Sequence, residues 1–133
     1  MIRLKRIFKV IILIVLVIFV FIAGFTVITQ NKLNKLVQMP VSNVALESIE
    51  DGNYEGNYNV FPVTVKLNVT VKGHKITEIL ILEHINGQGG KAEAIVDQVI
   101  EKQSLQVDIV SGATYSSKVI LKAIENALTG DAK

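Results

Sequence analysis

The chain has 133 residues, a formal net charge of +2 and no cysteine. Without cysteine these residues can form no disulfide and no thiolate-bound zinc or iron–sulfur site. Four of the fourteen basic residues lie within the first ten positions, so the remainder carries ten Lys and Arg against twelve Asp and Glu. No basic stripe remains for nucleic acid, and we expect no nucleic-acid partner.

An apolar run, VIILIVLVIFVFIAGFTVI, occupies residues 10–28 and contains no charged residue. A helix rises about 1.5 Å per residue, so this run spans roughly 28 Å, close to the ~30 Å hydrocarbon core of a bilayer. It also lacks the polar stripe of a helix on the surface of a soluble protein. We therefore expect residues 10–28 to form a transmembrane helix in the lipid bilayer, preceded by a basic cytoplasmic N-terminus at 1–9.

The charges that flank the apolar run predict its orientation. Four basic residues precede the run, whereas only Lys32 and Lys35 follow it closely. The positive-inside rule then places the N-terminus in the cytoplasm and the rest of the chain outside the cytoplasmic membrane. A cleaved signal peptide is the alternative, but its apolar region usually has about 7–15 residues and ends in small residues. This run is longer, and the candidate cleavage site at Ala23 and Gly24 has a bulky residue at position −3, so an uncleaved anchor is favoured.

The remainder divides into a juxtamembrane stalk at residues 29–50, interrupted by Pro40, and a folded domain at residues 51–130. The segment DGNYEGNYN at 51–59 has the composition of turns. Alternation over residues 63–71 predicts a strand, KGHK at 72–75 predicts a turn, and ITEILILEH predicts a second strand. The alternating apolar residues are Val63, Val65, Leu67, Val69 and Val71.

Two segments have the apolar spacing of amphipathic helices, and SLQVDIV at 104–110 is a candidate short strand between them. Gly130 is expected just past the end of the second helix. A hairpin or antiparallel sheet covered by two helices is an α+β domain. The apolar stripes consist of Ala92, Ile95, Val96, Val99 and Ile100 in the first segment, and Ile120, Ala123, Ile124, Ala127 and Leu128 in the second.

The decapeptide DIVSGATYSS, residues 108–117, places small residues directly before the second helix. A helix start presents unpaired N–H groups that favour an anion, above all a phosphate. Gly112 and Ala113 would let a bulky group approach the backbone. Thr114 could either cap the helix, which is worth about 1 kcal/mol, or carry a covalent group. On the residues alone, the N-cap is the favoured interpretation.

Several motifs together resemble one family. DIVSGATYSS is similar to the flavinylation motif of the FMN-binding domain family, which includes covalently flavinylated subunits of sodium-pumping NADH:quinone reductases and of Rnf-type complexes. DGNYEG at 51–56, the hairpin KGHKITEI with its following EH, and the spacing from Lys102 to Asp108 also fit, so the resemblance covers about residues 51–129. It implies that Thr114 carries FMN through a phosphoester and that Ser111, Gly112 and Ala113 form the approach. It also implies a partner enzyme, an FAD:protein FMN transferase that uses magnesium and releases AMP.

The resemblance implies further residues of the FMN site. Tyr115 and Ser116 complete the predicted set around Thr114, and His84 matches the histidine of the family, although an ordinary loop histidine explains it equally well. INGQGG at 85–90 departs from the Glu-Thr-Pro-Gly-like stretch of many relatives. Its glycines, Gly87 and Gly89 among them, could still direct N–H groups at the flavin or its phosphate.

The remaining candidates have two interpretations each. Asp108 could orient the Thr114 region or only pin the turn, and Tyr54 and Tyr58 could pack on the flavin or, more simply, on the core. Neither His74 nor His84 has a carboxylate or histidine partner at metal-ligand spacing, so we predict no metal site.

The resulting hypothesis is a membrane-anchored, extracytoplasmic flavoprotein that transfers electrons from a membrane donor to an outer acceptor. We expect a carrier or subunit of an oxidoreductase more than a complete enzyme, because the chain has no recognisable nicotinamide or quinone site. One alternative is a non-covalent FMN-binding or flavin-sensing module of a membrane complex. Another is an interaction domain that has kept the fold without the cofactor.

The charge bias around residues 10–28 makes a testable prediction. A reporter that is active only outside the cytoplasm, fused after Lys133, should be active, and mass spectrometry of the purified chain should recover its basic N-terminus. A chain cut after Ala23 or Gly24 would contradict the anchor.

Overall fold

The computed structural model describes residues 2–85, 87 and 89–130. It divides into two compact units, residues 1–34 and residues 35–133. The elements, in chain order, are the helix α1 (Ile2–Gln38), a 3₁₀ helix (Leu46–Ser48), the strands β1 (Gly52–Val60), β2 (Val63–Lys72) and β3 (Lys75–Ile85), a second 3₁₀ helix (Gly90–Ala94), and the helices α2 (Ile95–Lys102) and α3 (Thr114–Thr129).

The helix α1 contains the predicted apolar run and extends past it on both sides. Among the described residues, it is the one helix long and apolar enough to cross a bilayer, a test of length and composition that a signal sequence also passes. Its apolar side chains are exposed over the whole run, with Phe21 at 78%. The helix is therefore consistent with a single-pass membrane anchor. It ends at Gln38 because Pro40 disfavours helical backbone at the residue before it.

The strands form an antiparallel sheet in the order β1-β2-β3, with β2 at its centre. All five apolar residues of the predicted alternation in β2 are buried. Gly73 and His74 join β2 to β3 with φ angles of 58° and 59°. Two successive positive φ values are typical of the type I′ turn, whose twist matches that of the flanking strands. The predicted hairpin is thus confirmed.

The prediction of turns at 51–59 is wrong, because these residues form most of β1. This strand pairs with β2 from Gly52 opposite Val71 to Val60 opposite Val63. The glycine at residue 56 is explained by packing. A Cβ added to Gly56 would lie 2.1 Å from the carbonyl oxygen of Ala123 in α3. Glycine is therefore present here because a helix backbone lies directly against the strand, and not because the chain turns.

The helices α2 and α3 supply the second layer and confirm the α+β fold. α3 packs on β1 and β2, and α2 packs on β3. Nine of the ten apolar residues predicted for the two stripes are buried, and Ile100 is partly buried against the core. Gly130 follows α3 with a φ of 76°, the left-handed conformation expected of a residue at a helix C-terminus.

The candidate strand at 104–110 does not form. Gln103, which is left-handed and ends α2, places its side chain against β3. Its Oε1 accepts the N–H of Ile76 at 2.8 Å, and its Nε2 donates to the carbonyl of Ile76 at 2.8 Å. A side-chain amide thus takes the backbone partners that a fourth strand would need at this point. The following residues instead contribute Leu105 to the core.

Part of the segment assigned to the stalk packs with the folded domain. Lys118 donates to the carbonyl of Met39 at 2.8 Å, and Gln106 donates to the carbonyl of Val41 at 2.7 Å. Leu36 and Ile49 belong to the hydrophobic core. The domain boundary expected at Asp51 stays a prediction, but residues 35–50 contribute contacts that a fragment starting at Asp51 would lose.

The close approach at Gly56 predicts a strong effect of one methyl group. Gly56→Ala would also place its Cβ 2.6 Å from the Cβ of Ala127, so α3 must move away from the sheet. We expect this overpacking to reduce the free energy of unfolding by about 1–3 kcal/mol. The measurement is urea-dependent pulse proteolysis of the full chain in mild detergent.

Gly52→Ala is the matched control in the same strand. A Cβ at Gly52 meets only the Tyr54 ring, at 3.6 Å or more, which is ordinary van der Waals contact. An equal loss of stability in both variants would contradict the packing of α3 against Gly56.

Candidate functional site

The residues of the decapeptide form a tight turn that leads into α3. The N–H of Ala113 donates to the carbonyl of Val110 at 3.0 Å, and Gly112 has a φ of 74°. A positive φ at the third residue is characteristic of a type II turn and favours glycine. Ser111 and Gly112 are exposed at the tip of this turn, whereas Ala113 is buried at 5% exposure.

The interpretation of Thr114 as the N-cap is wrong. Ala113 occupies the capping position and has no side-chain cap hydrogen bond, and Thr114 is the first residue of α3. The carbonyl of Ala113 accepts the first helical hydrogen bond, from the N–H of Ser117 at 2.9 Å. Thr114 is exposed, and within the described chain its hydroxyl has no hydrogen-bond partner. A covalent bond to this hydroxyl would therefore disrupt no capping hydrogen bond.

Two buried serines lie at the start of α3, and one of them binds the turn. Ser117 is fully buried, and its Oγ accepts the N–H of Val110 at 3.2 Å. Ser116 is also buried, at 3% exposure, and Tyr115 is partly buried against the core. Of residues 114–117, Thr114 alone is exposed to solvent. Tyr115 and Ser116, the neighbours predicted to bind FMN, are thus less accessible than Thr114, and their contact with FMN stays a prediction.

A lysine from another element lies over the turn. Lys91 belongs to the 3₁₀ helix Gly90–Ala94, and its Nζ lies 2.7 Å from the position of a Cβ on Gly112. The 3₁₀ helix is held in place by Ala92, which is fully buried and whose N–H donates to the carbonyl of Gly89 at 2.9 Å. The ammonium therefore occupies the space that a side chain at Gly112 would fill.

His84 lies near the end of β3 and not in a loop, so that alternative is wrong. Its side chain is 3% exposed, and its Nδ1 lies 2.8 Å from Oε1 of Glu93, which is half exposed. This carboxylate partner comes from the neighbouring 3₁₀ helix and not from the strand of His84, so sequence spacing did not indicate it. The pair links β3 to the segment that carries Lys91.

Three other candidate residues have contacts outside the turn. Asp108 is 97% exposed, and its Oδ2 lies 3.9 Å from Nζ of Lys102. The hydroxyl of Tyr54 donates to the carbonyl of Glu50 at 2.8 Å, and that of Tyr58 lies 3.5 Å from the sulfur of Met39. Both tyrosines pack against the core, as their simpler interpretation predicted.

The glycine-rich loop is described only in part. Gly87 is exposed with a φ of 57°, and Gly89 is buried, while residues 86 and 88 lie outside the described residues. His74 places its Nδ1 3.0 Å from the carbonyl oxygen of Ile49. No cluster of three His, Cys, Asp or Glu side chains suited to a metal ion occurs in the described ranges.

Sequence reasoning missed Lys91 and Glu93. Glu93 lies nine positions after His84, which matches no ligand or helix spacing. A basic residue directly after the glycine-rich stretch, in GGK, was the available signal for Lys91. It gained meaning only when the fold brought residue 91 against residue 112.

Two comparisons with known proteins concern the domain that contains this turn. The NADH:acrylate oxidoreductase of Vibrio harveyi is 29% identical over 102 residues, which cover 74% of this chain but 10% of that protein. This chain thus spans about a tenth of the length of that relative. The model of the FMN-binding domain matches residues 61–129, from the β1–β2 turn to the end of α3, which is just over half of the chain. The protein is therefore a member of the FMN-binding domain family.

Proposed function

We propose that the protein is a membrane-anchored flavoprotein that carries FMN covalently on Thr114 and transfers electrons. The observation that supports this most directly is the state of the Thr114 hydroxyl. It is exposed at the first residue of α3, has no hydrogen-bond partner in the described chain, and lies within the match to the FMN-binding domain.

The residues around Thr114 fit a phosphate ester. The first N–H groups of α3 have no partner within the helix, and the helix dipole places partial positive charge at the same end. Gly112 lacks a side chain on the face where the Lys91 ammonium lies, so a cation already borders the turn. Oxygen atoms of a phosphate would therefore meet donors and positive charge here.

Attachment requires a donor of FMN that the chain does not contain. In the proposed reaction, the Thr114 oxygen bonds to the phosphorus of the FMN half of FAD, the pyrophosphate bond breaks, and AMP leaves. The hydroxyl proton is released in the same reaction. The proposed co-reactants are FAD, magnesium and an FAD:protein FMN transferase, as the resemblance to the family implies.

The bound FMN would supply the redox chemistry, and the protein would supply attachment and position. Of the Vibrio harveyi relative we carry over only the class of electron transfer, because the chain matches a tenth of that protein. We propose a membrane donor and an outer acceptor, with the domain outside the cytoplasmic membrane as the charge bias indicates. A covalent bond keeps the flavin at high effective concentration where a free cofactor would be lost by dilution.

Substitutions of Thr114 test this proposal. Thr114→Ala and Thr114→Val should abolish covalent flavin, and Thr114→Ser should retain part of it, because only serine keeps a hydroxyl. The folded domain should survive each change, since substitutions of exposed residues without contacts usually alter stability by about 0.5 kcal/mol or less. The readout is in-gel flavin fluorescence after denaturation, with mass mapping of residues 103–118 in cells that contain the transferase.

Thr77→Ala is the matched control, because Thr77 is an exposed threonine in β3 and not in this turn. It should be labelled like the parent. Undiminished fluorescence in Thr114→Ala would refute the attachment residue. Flavin that copurifies but is released on denaturation would favour a non-covalent FMN-binding module, and a colourless protein would favour a domain without cofactor.

A further inference from the structure

Lys91 differs from three other lysines of the folded domain in having no partner among the described residues. Lys66 pairs with Glu55, Lys122 pairs with Glu125, and Lys118 donates to the carbonyl of Met39. Lys91 has no hydrogen bond or ion pair among the described residues. Its Nζ lies 2.7 Å from the position that a Cβ on Gly112 would take. Gly112 is two residues before Thr114. An ammonium without a partner among the described residues thus lies against the turn that leads to Thr114.

We propose that Lys91 is the cation that pairs with the FMN phosphoester on Thr114. This inference rests on the proposed attachment, and it adds a residue from outside the SGAT turn to the site. Consecutive Cα atoms are 3.8 Å apart, so the Cα atoms of Gly112 and Thr114 lie within about 7 Å of each other. A phosphoester on Thr114 therefore falls within reach of the Lys91 side chain.

The charges at the turn support this pairing. A phosphate bonded to both Thr114 and the flavin side chain keeps one ionised oxygen. No Asp or Glu of the 108–117 segment competes for Lys91 at close range, because Asp108 is 97% exposed and faces Lys102. Glu93, the acidic neighbour in the same 3₁₀ helix, is engaged with His84. Lys91 therefore receives the anion while the adjacent carboxylate is held elsewhere.

The pairing assigns Lys91 a positioning role. It would hold the tether against Gly112, and a bulky side chain at residue 112 would displace it. The flexible four-carbon stem of lysine lets the ammonium follow the phosphate as a point charge. An arginine at residue 91 would keep the charge, whereas a glutamine would keep most of the length and lose it.

Trace acylation of the full chain in mild detergent tests the pairing. The parent chain is compared with and without FMN, after production with and without the transferase. Acylation needs the neutral amine, and a contacting anion favours the ammonium form, so labelling of Lys91 should fall about threefold on flavinylation. Lys72, which is exposed at the end of β2, is the internal reference and should not change. Added salt should restore part of the Lys91 labelling, because exposed charges are screened.

Phosphorus-31 NMR of the flavinylated chain supplies a readout that a merely structural lysine would not move. The phosphoester resonance should shift in Lys91→Gln, stay near the parent position in Lys91→Arg, and be unaffected in Lys72→Gln. If Thr114 carries FMN but either the Lys91 labelling or the phosphorus resonance is unchanged, the pairing is overturned and the attachment stands. If no FMN is found on Thr114, the attachment fails and the pairing fails with it.

Discussion

The contact of α3 with Gly56 is the constraint on which the rest of the domain depends. The backbone of a helix can contact a strand only where the strand residue has no side chain. The carbonyl oxygen of Ala123 lies against Gly56 in this way. This contact fixes the depth of α3 on the sheet. Because α3 is a single rigid element from Thr114 to Thr129, its depth at Ala123 also determines where its N-terminus lies. The position of the Thr114 hydroxyl thus depends on a contact about two and a half helical turns away from it.

A second set of contacts surrounds the N-terminus of α3, a region that we call the corner. Ser117 fixes the turn from below through the N–H of Val110, and the 3₁₀ helix covers it from the side. His84 binds Glu93 in this 3₁₀ helix, which also carries Lys91. Three elements that are far apart in sequence, β3, the 3₁₀ helix and α3, therefore meet around a turn of four residues. The exposed face of the corner contains a hydroxyl and an ammonium, and its buried face contains apolar and hydroxyl groups that hold the backbone.

The features that sequence predicted are those with a local cause. The alternation of β2, the apolar stripes of α2 and α3, and the turn at Gly73 all follow from periodicity or from backbone conformation within a few residues. The motif at Thr114 was found by resemblance, and spacing alone favoured an N-cap that the structure gives to Ala113. The features that sequence missed have distant causes. The composition of β1 indicates turns unless Ala123 is known to lie against Gly56. The strand expected at 104–110 does not form, because the side chain of Gln103 makes hydrogen bonds with the backbone of Ile76.

The burial of Ala113 and Ser117 beneath Thr114 has a consequence for any group attached there. The attachment point would be the first turn of a helix whose neighbouring residues are buried in the core. Motion of an attached group would therefore come from the bonds of that group and not from the backbone that carries it. A flavin attached to Thr114 would reach only the volume that its own side chain allows, so any redox partner would have to approach the flavin.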